Sequence, residues 1–173
     1  MPEWLAVPRG SEETETEEYG ISSFVYRSDR PFHPKRLWDT ISSEMTEGLF
    51  QDVLRSKGLT WVASRNEWAY NWSQAGCSIL LEPAGFWWAS APEEEWPEDE
   101  REAEDIRSRF SGEHGDRHQQ LVFIGQNLDQ KRVEAILDSC LLTDVEFNEG
   151  PNSWSDFEDP LPVIEIEEPE EVS

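Results

Sequence analysis

An α+β fold, a mainly antiparallel sheet with helices packed on one face, is predicted by the way two periodicities alternate along the chain. Short apolar runs of roughly period two are interrupted by amphipathic stretches of helical period, in the order strand, helix, several strands, helix, strand, helix. The middle strands follow one another across a Ser73-Gln-Ala-Gly76 turn signal and so read as an antiparallel meander. A chain of 173 residues suits one core, and nine Trp, eight Phe and three Tyr supply large apolar surfaces for it despite a hydrophobic fraction of only 36%.

Taken in order, residues 1–18 form an acidic leader: five of the eight positions in Ser11-Glu-Glu-Thr-Glu-Thr-Glu-Glu18 are Glu, with no apolar period, which predicts flexibility. The β-branched and aromatic run from Gly20 to Arg27 reads as a strand. Pro34 fits the first position of a helix in which Leu37, Ile41 and Met45 recur every four residues, with Trp38 widening the stripe. Strands are expected over Val53–Ala63, Glu67–Trp72 and Cys77–Glu82, and Phe86-Trp-Trp88 offers one more. Residues 93–105 hold nine acids and one Arg, and Ala103, Ile106 and Phe110 are spaced as one helical stripe with Arg107 and Arg109 at its end. Gln120–Ile124 is a strand ending at Gly125. Asp129 then caps a helix whose Val133, Ile136, Leu137, Cys140 and Leu141 follow the i, i+3, i+4, i+7, i+8 pattern. Residues 19–147 are thus the expected domain, and 148–173 an acidic, Pro-rich and disordered tail.

Fourteen basic against 38 acidic residues give a net charge of −24, which repels nucleic acid and anionic membrane surfaces. Three Lys against eleven Arg, with this acidity, match the composition of proteins from salt-loving organisms; acidic ends that inflate the count are the other explanation. Cys77 and Cys140 have no C-x-x-C or zinc-finger spacing. No apolar run approaches the roughly 18–20 residues needed to span a bilayer, and no signal peptide is evident, so the cytoplasm is the expected location.

A series of motifs carries more information than the composition. Tyr19-Gly-Ile-Ser-Ser-Phe-Val-Tyr26, Arg30-Pro-Phe-His-Pro-Lys-Arg-Leu-Trp38, Leu54-Arg-Ser-Lys-Gly-Leu-Thr-Trp61, Trp72-Ser-Gln-Ala-Gly76 and Gly115-Asp-Arg through Leu121-Val-Phe-Ile-Gly125 stand in the order found in the C-terminal domain of the CobW family of P-loop GTPases, and the chain resembles that module over about residues 19–145. The resemblance implies a non-catalytic accessory or interaction domain, working with a separate CobW-type GTPase or a metalloprotein client. No Gly-Lys dipeptide occurs in the 173 residues, so a phosphate-cradling loop cannot be assembled from them; GTP turnover by this chain alone, any enzyme activity and a bound cofactor are expected to be absent.

The residues singled out for interaction or as family motif are Arg55, Lys57, Gly58, Trp61, Asp116, Arg117 and Gly125. Arg55 and Lys57 alternate on one strand face, with Leu54 and Ser56 on the other. The two cations can meet an acidic partner or pair with the chain's own carboxylates. Gly58 permits a bulge or close packing, with Trp61 in the core. Asp116 and Arg117 either fix the turn into the next strand or face the same partner. His114 and His118, four apart, open an alternative in which both imidazoles and nearby carboxylates bind Zn²⁺ or Co²⁺ transiently; Gly112 and Gly115 argue against the helix this requires. His33 reads as a packing or capping residue at a helix start, and Trp87 and Trp88 as core anchors or an exposed patch.

Overall fold

The computed structural model describes residues 20–47, 52–76 and 78–162. Five strands, β1 (Ile21–Ser28), β2 (Val53–Thr60), β3 (Trp68–Ala75), β4 (Ser78–Phe86) and β5 (Gln119–Gln126), form one sheet in the order β1-β5-β2-β3-β4, with every neighbouring pair antiparallel. Five helices accompany them: α1 (Pro34–Glu47), α2 (Glu100–Ser108), α3 (Gln130–Cys140), α4 (Asp144–Glu149) and α5 (Pro151–Trp154). The predicted α+β class holds. The leader at 1–18, the side chain of Met45, Cys77 and the segment 163–173 lie outside the described residues.

Alternation along each strand separates the sheet into two faces. On the inner face the ladder aligns Tyr26, Leu121, Gly58, Trp72 and Leu81 in one row, and Phe24, Phe123, Ser56, Gln74 and Ile79 in the next. Helices α1 and α3 lie over this face: Leu37 and Ile41 from one and Val133, Leu137 and Cys140 from the other join Tyr26, Trp72, Leu121 and Phe123 in a single buried cluster. Buried polar groups on the same face are satisfied in chains. Ser56 Oγ donates to Gln74 Oε1 at 2.7 Å and accepts from Trp72 Nε1 at 2.8 Å, while Gln119 exchanges hydrogen bonds with Thr60 and with both the N–H and the carbonyl of Trp61.

A second buried cluster, Trp61, Ala63, Ala69, Trp87, Leu142 and Trp154, sits at the end of the sheet where β2 and β4 finish and β3 begins. Residues 30–33 tie this end together. Phe32 N–H donates to Trp61 O and its carbonyl accepts from Ala63 N–H, both at 3.0 Å, while His33 N–H reaches Cys140 O at 2.8 Å.

Several boundaries differ from expectation for local reasons. The strand predicted to run to Ala63 stops at Thr60, because Val62 leaves the ladder to bridge Phe32 and Ala63 opens a 3₁₀ turn. Residues 86–88 form no separate strand: Phe86 closes β4 and Trp88–Ser90 is a 3₁₀ turn whose N–H groups at Trp88 and Ala89 are held by Asp116. The acidic helix is shorter than the acidic run and begins after Pro97, with Asp99 as its cap and Ala103 and Ile106 buried. The disordered tail expected over 148–173 is corrected for residues 148–162. Trp154 is fully buried and donates from Nε1 to Glu146 O at 2.7 Å, Leu161 is 3% exposed, and Arg65 holds Asp159 at 2.8 Å. Three apolar or paired anchors fix this segment despite its polar, acidic composition.

Candidate docking face

The outer face of the sheet carries the residues of greatest functional interest. Its ladder reads Arg27, Gln120, Leu59, Asn71 and Glu82 in one row, Val25, Val122, Lys57, Ser73 and Leu80 in the next, and Ser23, Ile124, Arg55, Ala75 and Ser78 in the third. Leu59 packs toward the second cluster at one end. The other two rows have no fully buried member, and Ile124 and Leu80 are 39% and 46% exposed. Three cations and one carboxylate occupy these fifteen positions, so the face is net positive in a chain of charge −24.

Arg55 and Lys57 stand on this face as expected, and both are exposed. Among the described residues Arg55 and Arg27 have no salt bridge, so the carboxylate-pairing expectation is not met for Arg55 even though the chain holds 38 acids. Leu54 departs from the alternation: the register shifts between Val53 and Arg55, and the bulge leaves Leu54 47% exposed instead of turning it inward with Ser56.

The remaining predicted residues build the scaffold. A Cβ on Gly58 would lie 1.8 Å from Gln120 O, and one on Gly125 would lie 1.9 Å from Asp52 O, so both glycines permit backbone approaches that no side chain allows. Trp61 is fully buried, with Nε1 donating to Asn66 Oδ1 at 2.9 Å. Asp116 accepts from Trp88 and Ala89 N–H, both at 3.0 Å, and Arg117 donates to Asn66 O, His114 O and Ser90 Oγ. Their polar groups are therefore committed to loops beside β5, and the structure does not join them to Arg55 and Lys57. Sequence reasoning missed Arg27. Only the long-range pairing of β1 with β5 puts it on the same face as Arg55.

The alternative site is also resolved into packing. His114 packs against Trp61, Phe147 and Trp154 with centroid distances of 5.4, 5.0 and 5.4 Å, and burial pulls its pKa below the ordinary value. His118 turns to Trp87 and bonds Asp116 O through Nδ1 at 2.6 Å. Residues 112–114 are a 3₁₀ turn and Gly115 breaks the backbone, so the helical i, i+4 geometry never forms. Among the described residues no group of three or more His, Cys, Asp or Glu side chains is arranged to hold a metal ion. An open cleft of about 470 Å³ beside His114 is lined by Arg30, Arg117, Phe147 and Glu113, but Arg30 is engaged by Leu142 O and Asp144. His33 caps α1, with Nδ1 accepting from Arg36 N–H at 3.3 Å, and packs at a tilt against Phe157 with ring centroids 4.6 Å apart.

Fold and site define a small α+β sheet domain that described helices cover on one face and that is cationic on the other. It belongs to the family of cobalamin synthesis protein CobW C-terminal domains, whose model matches residues 21–141. Among curated relatives, the zinc-regulated GTPase metalloprotein activator 1 of Dictyostelium discoideum is 41% identical over 165 residues, covering 95% of this chain and 34% of the relative. A zinc chaperone of Mycobacterium tuberculosis is 29% identical over 147 residues, covering 83% and 34%. The chain spans about a third of the length of these relatives. The Zn(II)-bound crystal structure of the YjiA GTPase from E. coli overlaps 70% of this chain and 30% of that one, at 17% identity and a TM-score of 0.48. No helix among the described residues is long and apolar enough to cross a membrane.

Proposed function

We propose that this domain is a non-catalytic accessory module that works with a CobW-type P-loop GTPase, or with that GTPase's metalloprotein client, in the cytoplasm. The observation that carries the reading is the family match over residues 21–141. The names of the relatives, a zinc-regulated GTPase activator and a zinc chaperone, support metal homeostasis as the setting. In this reading Arg55 and Lys57 touch the partner. Gly58, Trp61 and Gly125 shape the sheet that presents them, and Asp116 and Arg117 fix the adjacent loops. Direct metal binding through His114 and His118 is less favoured: the two rings pack against different aromatic residues, and no third His, Cys, Asp or Glu among the described residues joins them in a ligand group.

The test is a titration of the purified chain into the CobW-type GTPase encoded in the same genome, followed by fluorescence anisotropy and by GTP turnover. Saturable binding with altered turnover of the GTPase is the expected result. Lack of binding to that GTPase and to the metalloproteins it serves would remove the proposal, as would GTP turnover by this chain on its own.

A further inference from the structure

The chemistry of the cationic outer face of the sheet specifies what covers it. We infer that the face formed by β1, β5, β2 and β3 is a docking site for an acidic protein surface with an aliphatic centre, and that Arg27, named by neither the motifs nor the family resemblance, is one of its anchoring residues. This inference rests on the accessory-domain reading and deepens it by naming the contact.

Four observations select the occupant. The first is charge. Arg27, Lys57 and Arg55 share the face with Glu82 alone among acids, while the chain as a whole carries −24, so the face is a local inversion of the molecule's field. Second, Arg27 and Arg55 have no ion pair among the described residues, whereas Arg36, Arg65 and Arg109 are all paired with carboxylates. Third, the centre of the face is aliphatic: Val25, Val122 and Ile124 lie in adjacent positions on β1 and β5, and Ile21 and Leu80 are 42% and 46% exposed. Fourth, the β3 and β4 side is lined by Asn71, Ser73, Ala75 and Ser78, small side chains that let a partner approach the sheet closely.

The same features exclude the other occupants. A two-fold pairing of two copies through this face would set like charges against each other. None of the fifteen outer positions is aromatic, so the stacking platform of single-stranded nucleic-acid binders is missing. A phosphate polymer or an anionic bilayer extends its charge past the face onto the acidic remainder of the chain, whereas a folded protein surface can confine its carboxylates to the cationic patch. What fits is a protein surface whose carboxylates border an apolar ridge. Arg27 and Arg55 are two strands and four residues apart, about 17 Å by ideal sheet spacing, and Lys57 lies between them, so the partner's carboxylates are spread at a similar distance.

The probe is the separately expressed CobW-type GTPase, titrated into the full chain at low and at moderate salt. Arg27→Glu and Arg55→Glu are each expected to weaken binding roughly tenfold and to flatten its salt dependence. Glu82→Lys is expected to strengthen it, and Arg132→Glu on the exposed side of α3 to leave it unchanged. Wild-type binding that survives both outer-face reversals, or falls equally with Arg132→Glu, overturns this inference while leaving the accessory reading intact. Self-association that the reversals abolish identifies a second copy as the occupant and also overturns it. Failure of the wild-type chain to bind either the GTPase or the metalloproteins it serves takes down the accessory reading itself.

Discussion

The two faces of the one sheet share every strand and differ in almost everything else. Inside, alternate residues are Tyr26, Leu121, Phe123 and Trp72, packed under α1 and α3 and laced with the hydrogen-bonded side chains of Ser56 and Gln74. Outside, the intervening residues are Arg27, Val122, Ile124, Lys57 and Ser73, and none of these five is fully buried. An antiparallel sheet tolerates such an open face, but a polar, mixed-charge surface would serve solubility alone. Here the outside is selectively cationic and aliphatic in an acidic chain, which separates the positions that hold the fold from those available for recognition.

This division predicts a graded series of effects on stability. The largest belongs to Trp154, fully buried at the sheet end, where Trp154→Ala removes a ring packed against Trp61, Phe147 and His114. Its cost is about 3–5 kcal/mol in denaturant unfolding. A loss under about 1 kcal/mol would mean that residues 150–162 are not part of the cooperative unit. Next comes Gly125→Ala, which drives a Cβ against Asp52 O and Leu128 at the edge where β2 meets β5; roughly 3 kcal/mol is expected, with the same outcome for Gly58→Ala. Asp116→Ala strands the N–H groups of Trp88 and Ala89 and is expected to cost about 1–3 kcal/mol.

Acid tests the α1–α4 contact. Arg36 hydrogen-bonds Glu146 through both of its terminal nitrogens and holds that carboxyl at about 2, below its ordinary value of 4.5. A depressed carboxylate stabilises the fold above the unfolded value, and its contribution is lost as pH falls from about 4.5 toward 2. His33 and His114, both held low by burial, act in the same direction at higher pH: the unfolded chain takes up their protons first as pH drops below 6.5. Urea unfolding of Glu146→Gln is therefore expected to show a shallower fall in stability between about pH 4.5 and 2 than the wild type; parallel curves would show that the pair is not coupled to folding. The smallest effect on stability belongs to the outer face, where Arg27→Glu and Arg55→Glu are each expected to stay within about 0.5 kcal/mol.

Much of the inner face is legible in sequence, whereas the outer face is legible only within one strand, at Arg55 and Lys57, for physical reasons. The helical period of Val133, Leu137 and Cys140 and the cap at Asp129 define α3 from local information alone. Strand order is different: β5 inserts between β1 and β2 through pairings that join distant parts of the sequence, such as Tyr26 with Leu121 and Gly58 with Leu121, so Arg27 could not be placed on the face of Arg55 without it. The tail beyond residue 147 was hidden by composition. Its acids suggested disorder, although Trp154, Phe157 and Leu161 and the Thr143-x-x-Glu146 capping box were signals of order. His114 and His118 misled in the opposite way, because spacing alone cannot reveal that Gly115 interrupts the helix and that aromatic rings surround each imidazole.

The most direct test of the division between the two faces is one pair of measurements on the Arg27→Glu, Arg55→Glu double variant: its thermal unfolding and its affinity for the CobW-type GTPase. The account predicts a melting temperature within a few degrees of wild type together with binding weakened well beyond tenfold. A variant that melts early, or one that binds the GTPase as tightly as wild type does, would contradict it.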